Sequence, residues 1–292
     1  MAMGKVLMVG WKLVLLTFFL FFSYSVASKP LGLSDVPQNM QNGNGFLMVL
    51  AACALQSVVL SYPILRSPLR GGWLVLNMFL IFYGIATFLT QIETVVFLQY
   101  LVNVVPVADV PWLFLQGAVV AALFSPFAVL IWGKMRRREG IPNETRYPTM
   151  SWKAWVLKII LLAVFYVVIY MGFGALVFRP LAGRAFQEYY AGLTLPFWIF
   201  PFQMVRAILW VGMALLVIEV MKGAWWEMRL GVALLFSVLM GSLLLFPNPY
   251  MPVTIRMAHF VEITSSNFLF GWVVVWVLLR RRPGPNESVA GT

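Results

Sequence analysis

Long apolar runs separated by short polar segments dominate the pattern of this 292-residue chain. A hydrocarbon core about 30 Å thick needs roughly 20 apolar residues of helix to cross it. Eight runs reach that length, and we number them as spans one to eight: 5–27, 45–65, 72–97, 110–133, 153–178, 196–221, 227–246 and 255–279. The pattern predicts an all-α, polytopic membrane helix bundle of about eight transmembrane helices.

The overall composition supports this prediction. Hydrophobic residues make up 62% of the chain and charged residues 11%, whereas a soluble globular protein has about 45–50% apolar and about 25% charged residues. Too few polar side chains remain to cover a water-soluble particle, so soluble enzymes and disordered chains are excluded. The chain has a single cysteine, Cys53, which lies in an apolar run, so a disulfide framework is excluded.

The distribution of the basic residues predicts the orientation. The formal net charge is +11, but Lys and Arg lie mostly between the spans, which is typical of topology signals. No RNP, zinc-finger or helix-turn-helix motif accompanies them, so we expect no nucleic-acid partner. With both termini in the cytoplasm, sixteen basic residues fall inside, Arg206 lies within a span, and four fall outside: Lys29, Arg179, Arg184 and Arg256. We therefore expect a multi-pass protein of the cell membrane with both termini cytoplasmic.

The N-terminal segment has a second interpretation. Lys5 and Lys12 precede an apolar stretch that ends in small residues at Ser25 and Ala27, as in a cleaved signal peptide. The internal repeat described next includes this segment, which favours its retention as span one.

Three sequence markers recur in the same order at a nearly constant offset. The paired segments are 29–32 with 179–183, 70–73 with 222–225, and 132–138 with 276–282, at offsets of 150, 152 and 144 residues. They predict a duplicated four-span unit, with parallel halves because four crossings return the chain to its starting side. The domains are then a first four-helix repeat (1–133), a basic cytoplasmic linker (134–152), a second four-helix repeat (153–282) and a cytoplasmic tail (283–292).

A few ionisable side chains lie inside the spans, where charge is costly and therefore points to function. Glu93 lies near the outer end of span three, and Arg206 lies about ten residues into span six. At about 100° per residue, polar residues of span eight share an arc of about 120°. This polar stripe consists of Arg256, His259, Glu262 and Ser266, with Asn267 beside it. We expect the stripe to face the bundle interior and to meet Glu93 and Arg206 in the outer half of the membrane.

These residue types indicate acid–base chemistry and anion binding. His259, Glu262 and Glu93 are the candidate catalytic residues, because an imidazole paired with a carboxylate in a low-dielectric site acts as a general acid or base. A guanidinium binds phosphate or carboxylate in bidentate fashion. The candidate substrate-binding residues are Arg206, Gln203, Arg256, Asn267 and Ser266.

Two further interpretations concern the same residues. Arg206 is equally suited to be the counter-ion of Glu93 or Glu262, and we favour such an internal ion pair slightly over head-group recognition. A metal site is not expected, because the chain has one histidine and no HExxH motif. The identity of any cofactor stays open.

Three functions fit this pattern. The first is an integral membrane protein that binds or processes a lipid-like or lipid-linked molecule, with the bilayer and that molecule as its partners. The second is a transporter or permease, which requires a further polar route toward the cytoplasm. The third is a non-catalytic membrane subunit in which the polar residues only fix helix packing. Protein partners and oligomeric state stay open.

Overall fold

A computed structural model describes residues 2–28, 45–97, 106–136, 150–191, 196–247 and 251–279. The regular structure within these ranges is helical throughout. Its α-helices are α1 (Ala2–Ser28), α2 (Gly45–Arg66), α3 (Gly71–Phe82), α4 (Leu89–Phe97), α5 (Val110–Ile131), α6 (Trp152–Phe173), α7 (Arg179–Ala182), α8 (Arg184–Tyr189), α9 (Ile199–Val220), α10 (Trp225–Gly241) and α11 (Val253–Leu279). The repeat markers 29–32 and 280–282, most of the linker 134–152, and the tail 283–292 lie outside the described residues.

Eight of the described helical segments are long and apolar enough to cross a membrane. They are Val6–Ser28, Gly45–Arg66, Gly71–Phe97, Val107–Ile131, Trp152–Ala182, Ile199–Val220, Trp225–Leu245 and Val253–Leu279. Every end lies within four residues of the sequence-based boundary. The prediction of an all-α, multi-pass membrane protein with eight spanning helices is confirmed.

Two of the spanning segments contain a π-helical turn. One joins α3 to α4 over Tyr83–Phe88, and the other joins α6 to α7 over Gly174–Phe178. Span five consequently runs four residues further than the sequence predicted. The second turn shifts the hydrogen-bond register just before Pro180, which has no N–H to donate, and the helix continues to Ala182.

One face of the bundle carries a set of basic side chains at the helix ends, and we call it the basic face. Here Lys222 N–H donates to the carbonyl of Arg66 at 2.8 Å, and Gly71 N–H donates to that of Lys134 at 2.9 Å. Gly71 has φ 63°, a left-handed conformation that glycine adopts without strain. Arg66 also forms an ion pair with Glu227. Together these contacts hold the ends of α2 and α5 against the starts of α3 and α10.

Lys134 is the most engaged of these basic residues. Its Nζ donates to the carbonyls of Leu65 at 3.1 Å and Ser67 at 2.6 Å, which satisfies carbonyl groups where α2 ends. Partial burial, and secondarily the charge of Arg70, lower the pKa of Lys134. The residue therefore acts as a helix cap rather than as a freely solvated charge.

The helices pack as two groups that meet in the centre of the bundle. In the first, α1 packs against α2 and α5, and α3 packs against α5; in the second, α6 packs against α9 and α11, and α10 packs against α11. Contacts of α2 with α10 and of α3 with α9 join the groups. Large aromatic side chains fill the core, among them Trp210, Phe236 and Phe270. Outward-facing Leu, Val and Phe side chains on α1 and α6 form the apolar surface that a bilayer requires.

Candidate functional site

Arg206 of α9 lies at the centre of the first of two polar clusters, which we call the arginine cluster. Its side chain is only 2% exposed, and its Nη2 lies 2.7 Å from Oε2 of Glu93. It donates through Nε and Nη2 to the carbonyl of Leu89 at 3.1 and 3.0 Å, and through Nη1 to the hydroxyl of Tyr166 at 3.0 Å. Gln203 donates to Oε1 of Glu93 at 3.2 Å. Arg206 is therefore neutralised and well hydrogen-bonded inside the protein, which is the internal ion pair favoured from the sequence.

The backbone carbonyl that accepts from Arg206 directly follows the first π-helical turn. Leu89 directly follows Tyr83–Phe88, and a π-helical turn shifts the i to i+4 hydrogen-bond register by one residue. The carbonyl of Leu89 accepts two hydrogen bonds from one guanidinium. Irregular backbone at membrane depth is tolerated where other protein groups form hydrogen bonds with its N–H and C=O groups.

His259 of α11 lies at the centre of the second group, the histidine cluster. Its Nδ1 lies 2.8 Å from Oε2 of Glu262, one turn further along the helix, and its Nε2 lies 2.9 Å from the hydroxyl of Tyr190. The ring of Phe178, the last residue of the second π-helical turn, stacks on the imidazole at a centroid distance of 3.8 Å and an interplanar angle of 12°. These contacts hold the imidazole plane between a carboxylate and a phenol.

The protonation of Tyr190, which follows the spanning segment, orders this hydrogen-bond chain. Burial raises the pKa of Tyr190, and the nearby groups Tyr189, Glu262 and Glu93 raise the pKa further. Burial also raises the pKa of the adjacent Tyr189, to about 12. Tyr190 keeps its proton at neutral pH, so its hydroxyl is a hydrogen-bond donor for Nε2 in the tautomer that carries the ring proton on Nδ1. Nδ1 then carries the ring proton and donates to Glu262, as in other carboxylate–imidazole pairs.

The two clusters are neighbours inside the bundle. Glu93 and Glu262 both act electrostatically on Tyr166 and Tyr190, and Glu262 acts on Arg206 as well. Separate elements thus bring one ion pair and one carboxylate–imidazole pair into each other's fields, in the same end of the bundle, opposite the basic face.

The polar stripe of α11 points inward, but its members do not share one environment. Val261, on the other side of the helix, is 45% exposed, whereas Glu262 and Ser266 are buried. Ser266 donates to the carbonyl of Ile263 in its own helix, and Asn267 donates to Sδ of Met240 on α10. The structure therefore places Ser266 and Asn267 in helix packing contacts outside both clusters.

Arg256 differs from every other residue of the stripe. Its side chain is completely buried, yet no group of the described residues accepts a hydrogen bond from its Nε, Nη1 or Nη2. Its backbone N–H donates to the carbonyl of Pro252 at 2.9 Å, so the residue lies in the first turn of α11.

Sequence reasoning missed three contributors to the clusters. Tyr166 and the Leu89 carbonyl carried no signal, because a lone tyrosine in an apolar span and a backbone oxygen look like ordinary packing. Tyr190, in the segment after span five, is not among the candidate residues predicted from the sequence. Its role depends on how α8 folds back over α11, which residue spacing does not encode.

The described residues contain no group of three His, Cys, Asp or Glu side chains arranged to hold a metal ion. Comparison of the chain with protein-family models, with curated proteins and with solved structures gives no match. The class is therefore defined by the fold alone: this is an all-helical, multi-pass membrane protein, with eight helices among the described residues that are long and apolar enough to cross a membrane.

Proposed function

We propose that this protein binds and processes a lipid-like or lipid-linked molecule at the histidine cluster. The observation that carries the proposal is the hydrogen-bonded chain from Glu262 through His259 to Tyr190, with distances of 2.8 and 2.9 Å. A carboxylate, an imidazole and a hydroxyl in this order form the relay by which many enzymes move a proton to or from a reacting group.

Each member of the chain has a distinct role in the proposed reaction. His259 is the general base, which accepts a proton through Nε2 and later returns it. Glu262 is the positioning residue, which fixes the tautomer and stabilises the imidazolium that forms. The hydroxyl of Tyr190, the member nearest the membrane surface, passes the proton between His259 and the ligand.

The arginine cluster has a supporting role in this proposal. Arg206 and Glu93 neutralise each other, so their pair fixes the positions of α4 and α9 beside the ligand. Glu93 keeps 24% of its side chain exposed, although one of its oxygens is engaged by Arg206. Gln203 orients that carboxylate through its hydrogen bond. Ser266 and Asn267 contribute to this assembly by holding α11 in register.

We further propose that the chain is an internal duplication of four spans. The three principal helix pairs of the first group, α1–α2, α1–α5 and α3–α5, correspond under the sequence offset to those of the second, α6–α9, α6–α11 and α10–α11. The contacts between groups correspond in the same way, since α2 with α10 is equivalent to α9 with α3.

Equivalent polar contacts support the duplication independently. Gln56 lies 150 residues before Arg206, and it accepts a hydrogen bond from Tyr24 of span one and donates one to Ser242 of span seven. Arg206 likewise contacts a tyrosine of span five and the backbone of Leu89 in span three. Residues 89 and 242 differ by 153 positions, close to the marker offset. A polar bridge of one repeat thus became a charged bridge in the other.

The proposed orientation follows the positive-inside rule. Sixteen basic residues lie at or beyond the span ends on one side of the predicted topology, against four on the other. The basic face is accordingly cytoplasmic in this proposal, both termini are cytoplasmic, and both clusters lie in the outer half of the cell membrane.

Ligand binding is tested by extracting the lipids that remain with the purified protein and identifying them by mass spectrometry. The proposal predicts that wild type retains a defined lipid species and that Tyr190→Ala loses it, because the substitution removes the group nearest the membrane surface. Ser265→Ala is the matched control, since Ser265 is an exposed residue of the same helix. Identical lipids in wild type and Tyr190→Ala contradict binding at this cluster.

A further inference from the structure

Arg256 is the one arginine of the described spanning segments that is fully buried and has no hydrogen-bond acceptor. Arg206 shows how this fold satisfies such a group, with a carboxylate, a carbonyl and a tyrosine hydroxyl around it. No comparable acceptor among the described residues reaches Arg256. A guanidinium does not release its proton, so its charge persists in the buried state.

The neighbouring carboxylate does not serve Arg256. Glu262 lies six residues along α11, about 120° away around the helix at 100° per residue. Its carboxylate is engaged by His259 at 2.8 Å. The chain has therefore placed a positive charge beside the histidine cluster without supplying its counter-ion among the described side chains.

The position of Arg256 in the helix adds a second reason to expect an anion. The residue lies in the first turn of α11, where free backbone N–H groups and the helix dipole are already positive. A cation at this place is unfavourable by itself, whereas an oxyanion there is stabilised by both the helix and the guanidinium. Helical side chains also lean toward the N terminus of their helix, which brings the guanidinium to the same end.

We propose that Arg256 is the binding group for an oxyanion, a phosphate carried by a lipid head group or free in solution, one turn of helix before His259. This inference rests on the proposed function and names its substrate class: the ligand processed at the histidine cluster is a phosphate-bearing molecule. Arg256 binds the phosphate through its bidentate N–H groups. The apolar remainder of a lipid ligand lies among Phe178, Phe186 and Met251, which line this end of α11.

The test measures binding of three probes to the purified full-length chain by native mass spectrometry: dioleoyl phosphatidic acid, dioleoylglycerol and inorganic phosphate. Wild type binds phosphatidic acid, and Arg256→Gln weakens that binding by about tenfold or more, because a charge-assisted bidentate contact is lost. Dioleoylglycerol, which lacks the phosphate, binds both proteins equally. Arg184→Gln removes the same charge from an exposed position near the end of span five and leaves phosphatidic acid binding unchanged.

The probes also distinguish the source of the oxyanion. Binding of phosphatidic acid without binding of inorganic phosphate identifies a lipid head group, and Arg256-dependent binding of both identifies the phosphate itself as sufficient. Equal affinity of wild type and Arg256→Gln for both phosphate probes, or no binding of either by wild type, overturns the proposal. If Arg256→Gln does not fold, Arg256→Lys decides: it keeps the charge but loses the fork geometry, so weaker binding supports the site and unchanged binding contradicts it.

Failure here is distinguishable from failure of the proposed function. His259→Ala leaves Arg256 in place and keeps phosphate binding, whatever its effect on chemistry. If phosphate binding did not depend on Arg256 while the His259-dependent reaction was intact, the substrate class would be refuted but the proposed function would not.

Discussion

Two arginines of the described residues are buried, and they have opposite environments. Arg206 is surrounded by acceptors from α4 and α6, whereas Arg256 has none among the described residues. The cost of burying a charge falls when a partner and hydrogen bonds compensate it. The first arginine therefore contributes to the structure, and the second is where we propose that a ligand binds.

The pairing of Arg206 with Glu93 predicts strongly non-additive effects on stability. Glu93→Gln leaves the buried guanidinium of Arg206 without its partner, so this variant lowers the free energy of unfolding by about 3 kcal/mol. Arg206→Gln leaves only the partly exposed carboxylate of Glu93, so its loss is smaller. The double variant removes both charges, and the cycle gives a coupling of about 1–3 kcal/mol. Thermal unfolding of the purified proteins measures this. Additive losses would show that the pair does not interact.

The hydroxyl of Tyr190 predicts a pH dependence of stability. The folded protein raises the pKa of Tyr190 above its ordinary value of 10.0, so above that pH the folded state binds more protons than the unfolded state. The contribution of Tyr190 to the free energy of unfolding is fully present below pH 10.0. It is lost as the pH rises above that value, by up to about 1.4 kcal/mol per pH unit. Tyr190→Phe loses about 1 kcal/mol at neutral pH with its hydrogen bond. Above pH 10.0 the stability of this variant also falls less steeply than that of wild type. If the free energies of unfolding of the two proteins changed in parallel between about pH 8 and about pH 11, the assignment would be contradicted.

At this scale the sequence predicted the candidates better than their contacts. Glu93, Arg206 and His259 are conspicuous because ionisable residues are rare in apolar spans. Helical periodicity also placed Glu262 on the inward face of its helix. The acceptors were not predictable, because Tyr166 and a backbone carbonyl become partners only through the packing of separate helices.

The helices themselves were predictable to within four residues at each end, since the thickness of a bilayer and the apolar composition fix span length. The π-helical turns over Tyr83–Phe88 and Gly174–Phe178 were not. A single inserted residue leaves the apolar pattern almost unchanged, although it redirects every side chain that follows it. Both turns adjoin a polar cluster. The backbone irregularities beside the clusters were therefore visible only in the structure and could not be predicted from the sequence.

Close packing of α10 on α11 predicts that Gly271 does not tolerate a larger side chain. A Cβ atom at this position lies 2.8 Å from Cα of Ala233, a backbone atom that cannot rotate away. Gly271→Ala therefore lowers the free energy of unfolding by about 1–3 kcal/mol, even though alanine favours helix formation. Gly172→Ala in α6 is the matched control, because no atom of the described residues lies within 4 Å of its added Cβ. Thermal unfolding should separate the two variants, and equal stability would contradict the close approach.

At the scale of the whole molecule, charge divides into two groups. Basic side chains at the helix ends form one face, where Arg66 pairs with the buried Glu227. The buried residues Arg206, Arg256 and Glu262 lie in the opposite part of the bundle. This separation was visible in the sequence because few charges had to be placed. The sequence led us to expect that the two clusters lie close together, but only the three-dimensional packing could test this.

The proposed duplication explains why the second group of helices carries the chemistry. The positions equivalent to His259 and Glu262 under the 144-residue offset are Leu115 and Ala118, which are not ionisable. In that proposal the carboxylate–imidazole pair belongs to the second half alone, whereas the first half contributes Glu93 to the arginine cluster.

The central claim is that the chain from Glu262 through His259 to Tyr190 performs acid–base chemistry on a lipid-like molecule. The most direct measurement is the rate at which the purified protein, reconstituted in vesicles of a polar lipid extract, converts a lipid species detected by mass spectrometry. We predict conversion by wild type and by Ser265→Ala. His259→Ala should slow it by about 10²-fold or more, the usual contribution of a general base. Conversion at the same rate by correctly folded His259→Ala, or no conversion by wild type, would contradict the claim.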